Sequence, residues 1–311
     1  MSETLIIILS LVTLAVGARV IVSEMGTLSK LLHASTFGLS LILLGFLTSL
    51  PELSVAINAQ IDQMPQIYAG NLMGGSFLLL AGIIPLFTYL QNGLSLKKSL
   101  HGPSLLVFMT LLSLPLLAAV NGVITRGESV AMIALYVVFV AMAKPVSLTK
   151  LKQAKLSYAT IAAKIFVIAV AAVGIYVACT ELVTVTEAMA LRLGAPAFLI
   201  SFMLLSIGTN IPELTLALQA IFKKSSDVAF GDYVGSAAMN PLMLGVFSLY
   251  HGSYALGLEE LSWFTAVFLG VNVLFLVFAL SKDTLSKHEA LGLLAIYIVV
   301  TALQILGVPQ V

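Results

Sequence analysis

The sequence predicts an all-α integral membrane protein: ten transmembrane helices laid out as two inverted five-helix repeats, with broken helices at a central site. Three observations carry that prediction. Of the 311 residues, 60% are hydrophobic and only 9% are charged, whereas about a quarter of the residues in a soluble domain are charged. Apolar runs near the roughly 20 residues needed to cross a bilayer alternate with short polar breaks. They give spans centred near Leu14, Gly45, Leu78, Leu111, Val137, Ile168, Ile207, Met239, Val271 and Tyr297. Finally, one polar pattern occurs twice inside apolar runs, as Thr48-Ser49-Leu50-Pro51-Glu52 and as Thr209-Asn210-Ile211-Pro212-Glu213.

The two copies stand 161 residues apart (48 to 209, 52 to 213), and the same offset pairs Phe37 with Phe198, Ser40 with Ser201, Ala56 with Ala217, Gly70 with Gly231 and Gly74 with Gly235. Self-similarity at a fixed offset marks an internal repeat. Five spans in each half is an odd number, so the second half enters the membrane from the opposite side, and interrupted helices at matching positions point to a transporter's central site. The repeats are assigned to residues 1–146 and 159–311, with a cytosolic linker at 147–158.

In chain order, the first run, from about Leu5 to Val22, follows Glu3 and lacks a basic leader, so it reads as a span and not as a cleaved signal. In the second and seventh spans an acid lies at membrane depth, where an unpaired charge is costly and marks function by default. Thr48 and Glu52 are four apart and share a helix face; Pro51 cannot bond the carbonyl of Leu47 and so releases an oxygen beside the acid. Hydroxyl, carboxylate and freed carbonyl oxygens form a hard cluster that suits a hard cation. The third and eighth spans carry glycines four apart, Gly70 and Gly74, then Gly231 and Gly235. That spacing lets another backbone approach closely and would bring Ser236 and Asn240 up to the broken helices, although plain helix packing explains the glycines alone. Asp232, near a span end, reads equally as a site residue or as a hydrated interfacial acid. The sixth span holds the lone Cys179, a small hydrophobe with no assigned role. His33, His101, His251 and His288 fall near loops.

Charge placement orients the chain. With the amino terminus outside, thirteen basic residues, Arg19, Lys30, Lys97, Lys98, Lys144, Lys150, Lys152, Lys155, Lys164, Lys223, Lys224, Lys282 and Lys287, fall on the inner side. Only Arg126 and Arg192 fall outside. This is the positive-inside asymmetry, and it puts both termini outside, in what is expected to be a prokaryotic inner membrane. A net charge of +1 and the lack of a basic tail argue against nucleic acid as a partner. Membrane lipid and inorganic cations are the expected partners; the oligomeric state is not encoded in any motif. No serine/histidine pair or zinc-ligand spacing lies at membrane depth, so an enzyme is not expected, nor is a cofactor beyond transported ions.

These residues resemble the cation/calcium exchanger superfamily, in particular the sodium/calcium exchangers of bacterial or archaeal type. That family has two inverted five-helix repeats, each with a signature similar to G-T-S-x-P-E followed by G-N-x-x-G-S-N-x-x-N. The second half here reads Gly208 to Glu213, then Gly231 to Asn240; the first reads Leu47 to Glu52, then Gly70 to Leu79. The resemblance implies a mid-membrane site in which Glu52 and Glu213 are the central calcium ligands. Thr48, Ser49, Thr209, Asn210, Ser236 and Asn240 complete the set that binds calcium and sodium. Gly75 replaces a family serine, Ser76 an asparagine and Leu79 the final asparagine, while Asp232 and Ala237 depart in the second half. The function expected is secondary antiport of calcium against sodium. Two alternatives stay open: a proton-coupled cation exchanger, since like charges held close need a cation or a proton between them, and a non-transporting ion-sensing membrane partner.

Overall fold

The computed structural model describes residues 3–31, 41–42, 45–96, 100, 102–120, 122–143, 158–194, 196–223, 226–255 and 262–305. The expected linker lies outside these residues except for its last one, Tyr158; Phe37, Ser40, His33, His101, Lys97, Lys98 and Lys150 lie outside them too.

The chain is mostly helical. In the first half α1 is Glu3–Leu31, α2 Gly45–Thr48, α3 Leu50–Ile61 and α4 Pro65–Phe77, which runs through a π-helical stretch, Leu78–Ile83, into α5 Ile84–Leu90. Then come β1 Leu94–Ser95, α6 Gly102–Val120, β2 Val123–Ile124 and α7 Arg126–Ala143. The second half opens with α8 Tyr158–Leu193 and α9 Ala197–Ile200, followed by a π-helical stretch at Ser201–Leu205, α10 Ser206–Thr209 and α11 Ile211–Lys223. It ends with α12 Ser226–His251, β3 Tyr254–Ala255, α13 Ser262–Lys282, β4 Thr284–Leu285 and α14 Lys287–Ile305. Among the described residues, four two-residue strands are an addition to the all-helical expectation. They pair antiparallel across the halves, β1 with β4 and β2 with β3.

Among the described residues three helical stretches, Pro65–Leu90, Ala162–Leu193 and Phe264–Ser281, are long and apolar enough to cross a membrane. Ala197–Thr209 falls short of that length because the helix breaks at Asn210. Large apolar side chains lie exposed on the outside, and a polar cluster lies inside an otherwise apolar core. On α8, Phe166 and Val173 are 69% and 64% exposed, while Thr48, Glu52, Asn71, Thr209, Glu213 and Asp232 are buried. An apolar exterior around a buried polar cluster is what hydrocarbon solvent selects.

The halves grip each other reciprocally. α1 packs on α11 and α8 on α3; α2 packs on α12, and α10 on α4. Glycines make the last two crossings possible. A Cβ on Gly235 would run into the carbonyl oxygen of Leu41, and one on Gly74 would run into that of Phe202. Gly45 lies against Gly235, and its counterpart Ser206 lies against Gly74. Capping boxes open the last helix of each half: Glu128 accepts from the Thr125 N–H at 2.7 Å, and Glu289 from the Ser286 N–H at 2.8 Å.

Candidate cation site

The site begins with two local interruptions. Pro51 lies in the first turn of α3 and Pro212 in that of α11; neither has an N–H for the carbonyl four residues back, Leu47 or Gly208. The helices break just before them, at Ser49 (φ −82°, ψ 7°) and at Asn210 (φ −89°, ψ 12°). Each restarted helix carries its glutamate in the first turn, where unpaired N–H groups and the helix dipole favour a negative charge.

Glu52 and Glu213 are buried close enough to act on each other electrostatically, as is Asp232. One oxygen of Glu52 accepts the Asn210 amide at 3.0 Å; its second oxygen and both oxygens of Glu213 have no hydrogen-bond partner. The hydroxyls of Ser236 and Thr48 lie beside Glu213. Among the described residues the ion pairs are Lys164–Glu24 at 2.6 Å and Arg192–Glu3 at 2.5 Å, and neither involves these acids. Buried carboxylates without a paired base are costly. A bound cation or a proton would offset that cost.

A cross-brace from each half closes the site. Thr48 Oγ1 donates to Asp232 Oδ1 at 2.9 Å, and Thr209 Oγ1 donates to Asn71 Oδ1 at 3.2 Å. These bonds are equivalent under the 161-residue offset (48 to 209, 71 to 232). Thr48 also lies 2.9 Å from the Ser236 hydroxyl, which approaches the Gly45 carbonyl. A hydroxyl that donates to a carboxylate or carbonyl keeps lone pairs for a cation.

Seven of the eight expected ligands gather here: Thr48, Glu52, Thr209, Asn210, Glu213, Ser236 and, through Gly75, Asn240. A Cβ on Gly75 would lie 3.0 Å from the Asn210 amide nitrogen and 3.1 Å from that of Asn240. Neither the amide nitrogen nor the amide oxygen of Asn240 has a hydrogen-bond partner, although the side chain is buried. Ser49 is buried but donates to the Gly45 carbonyl on its own side of the break, at 2.7 Å, and among the described residues its side chain bonds nothing in the other half. Leu79 is buried in the π-helical stretch, and Cys179 is a free buried thiol whose sulfur reaches the Pro51 carbonyl at 3.5 Å.

Asp232 resolves an open alternative. It is fully buried against Thr48 and is not a hydrated interfacial acid. Asn71 joins it as a residue outside the expected set. Both follow a glycine and stand at the same offset, a signal present in the sequence.

Comparison with known proteins follows this geometry. The family model described as sodium/calcium exchanger protein matches residues 2–144 and 163–306. The sodium/calcium exchanger MaX1 of Methanosarcina acetivorans is 24% identical over 342 aligned positions, covering 94% of this chain and 96% of that protein. A solved structure of the sodium-calcium exchanger NCX_Mj soaked with 2.5 mM Na+ and 1 mM Sr2+ has a TM-score of 0.71 at 20% identity, covering 97% of this chain and 99% of the other. The same exchanger soaked with zero Na+ and Ca2+ gives 0.65 at 21% identity, covering 96% and 98%.

Proposed function

The chain belongs to the sodium/calcium exchanger protein family, and from that premise we propose that its exchange takes place at the buried cluster centred on Glu52 and Glu213. It is an integral, multi-pass membrane protein and a secondary antiporter of calcium and sodium. One observation carries the assignment of the site: three carboxylate oxygens, one of Glu52 and two of Glu213, are buried in the same electrostatically linked cluster and lack a hydrogen-bond partner. Two carboxylates balance one calcium or two sodium ions. The surrounding hydroxyls and amide oxygens supply the neutral part of the 6 to 8 oxygens, roughly, that calcium accepts.

The architecture we assign is ten spans in two inverted repeats, with both termini outside and lysine-rich connections inside. Contacts between the halves support it. β1 and β4 belong to connections placed inside, and β2 and β3 to connections placed outside, and each strand pairs with the one on its own side. Glu3 bonds Arg192, both assigned outside, and Glu24 bonds Lys164, both assigned inside. A fixed central site between reciprocal repeats can be exposed to either face by moving one helix group past the other.

The test is Glu52→Gln and Glu213→Gln in proteoliposomes. Glutamine keeps the shape and removes the charge. Removing one member of a buried charged set costs roughly 3 kcal/mol, about 100-fold in ion affinity. Calcium uptake driven by a sodium gradient should fall to background in both variants, with each still monodisperse in detergent. Robust uptake by either variant would place the site elsewhere.

A further inference from the structure

An open groove of about 520 Å³ runs between α1 and α8, walled by Val12, Val16 and Val20 on one helix and by Phe166, Val170 and Gly174 on the other. The helices touch where buried Gly17 lies against buried Ile175. Val12, Val16, Phe166 and Val170 are exposed along it. The hydroxyl in the wall, that of Thr13, already donates to the Leu9 carbonyl of its own helix at 2.8 Å. The walls offer no unmet donor, whereas water held in a cavity needs ~2–4 polar partners. The groove suits hydrocarbon.

The ion pairs fix the depth at which it lies. Glu3 pairs with Arg192 and Glu24 with Lys164. Along α1 the two acids stand about 32 Å apart at 1.5 Å per residue, close to the ~30 Å of bilayer hydrocarbon. The pairs therefore mark the two membrane surfaces. The groove follows residues 12 to 20 of α1, about 12 Å of helix, so it begins near the midpoint between the acids and ends short of Glu24. One leaflet of hydrocarbon is about 15 Å deep. The groove matches that reach.

Charge selects the occupant further. Arg19 follows Val16 by three residues and Val12 by seven, which puts it on the face of α1 that walls the groove. It is exposed, and neither described ion pair takes it. Glu24 and Lys164 cancel each other, so this end of the groove keeps one positive charge. Arg19 stands five residues short of Glu24, and an arginine near a helix end lays its stem along apolar surface and lifts its head to the interface. A second copy of the chain, or any other helix laid over the groove, would bury that charge in hydrocarbon, where leaving it unpaired is costly. A lipid avoids the cost.

We propose that the groove between α1 and α8 binds one acyl chain of a phospholipid from the leaflet assigned inside, with its anionic headgroup at Arg19. The choice of leaflet rests on the orientation assigned above. α1 packs on α11 and α8 on α3, the helices that carry Glu213 and Glu52. The bound chain thus lies one helix away from the glutamate cluster.

The test places the full chain in phosphatidylcholine vesicles with a trace of phosphatidylglycerol that carries a photoactivatable group on its acyl chain, and maps the adducts by peptide mass spectrometry. Adducts should concentrate within residues 12–20 and 166–174. Unlabelled phosphatidylglycerol should compete about five-fold better than phosphatidylcholine, the share of one basic residue at a membrane surface, and Arg19→Gln should bring that ratio close to one. Val16→Trp fills the groove from one wall and Val170→Trp from the other. Each should remove these adducts and leave those elsewhere, while Val173→Trp, also exposed on α8 but outside the groove, should leave them all. Adducts spread evenly over the exposed apolar surface, or unchanged in both groove-filling variants, would overturn the site. A competition ratio near one in the wild type would overturn the headgroup at Arg19, and crosslinks joining two copies at these residues would show a second copy in the lipid's place. A reversed orientation is detected separately, as labelling of Asp283→Cys in a Cys179→Ala chain by an impermeant thiol reagent added outside.

Discussion

Thr48 and Thr209 make the same bond to unlike partners, a carboxylate in one half and an amide in the other. Around them the backbone is nearly the same in both halves: the helices break at matching positions, with ψ of 7° and 12°, and glycines at matching positions meet matching carbonyls. The difference lies in the side chains. Both sides hold unpaired acceptors, but on the Asp232 side they are carboxylate oxygens of Asp232 and Glu213, whereas on the Gly75 side they include the amide oxygens of Asn210 and Asn240, and the Asn210 amide nitrogen donates to Glu52. A scaffold built by repetition thus keeps its tightest crossings, at Gly74 and Gly235, alike in both halves, because a Cβ at either position would meet a backbone carbonyl. The polar side chains around the breaks differ between the halves, because their positions are not held by backbone contact.

The largest effects should fall on the symmetric part. Gly235→Ala and Gly74→Ala each push a Cβ into a backbone carbonyl, that of Leu41 or Phe202. Overpacking of this kind costs roughly 1–3 kcal/mol, and backbone neighbours that cannot rotate away put both near the top of that range. Melting temperatures in detergent should drop in both variants, while Gly270→Ala and Gly292→Ala, whose Cβ would meet nothing within 4 Å, should melt at or above the parent. A tolerated Gly74→Ala beside a damaging Gly235→Ala would show that only one crossing is tight.

The two threonines sharpen the contrast further. A hydrogen bond to a charged group contributes roughly 1.5–3 kcal/mol and one between neutral groups about 1 kcal/mol. Thr48→Val should therefore lower sodium-driven calcium uptake about ten-fold or more and Thr209→Val about five-fold. Equal losses would mean that the charge of Asp232 does not reach Thr48. The smallest effect belongs to Gly75. A serine there crowds the amides of Asn210 and Asn240, side-chain ends that can give way. Gly75→Ser alone should reduce the uptake rate about three-fold, within the cost of mild overpacking, and Asn210→Ser in the same chain should restore it by vacating the space. Failure of that rescue would show that the two positions do not compensate for each other.

The sequence by itself determined the scaffold and the principal charged pair. Apolar run lengths, the 161-residue offset and the two prolines are local or periodic signals, and a proline in a helix breaks it wherever the helix ends up. Glu52 and Glu213 were legible for the same reason: an acid inside an apolar run announces itself without knowledge of its neighbours. Contacts between the halves were a different matter. Asp232 reads as either interfacial or central until α12 is packed against α2, which buries it on Thr48, 184 residues away in the chain. Only that packing turned Ser49 toward its own helix while Asn210, its counterpart, reached Glu52 across the interface. The physical reason is that sequence patterns report on which face of a helix a residue lies. Which atoms meet across two such faces depends on how closely the backbones approach, and here the approach is set by Gly45, Gly74 and Gly235.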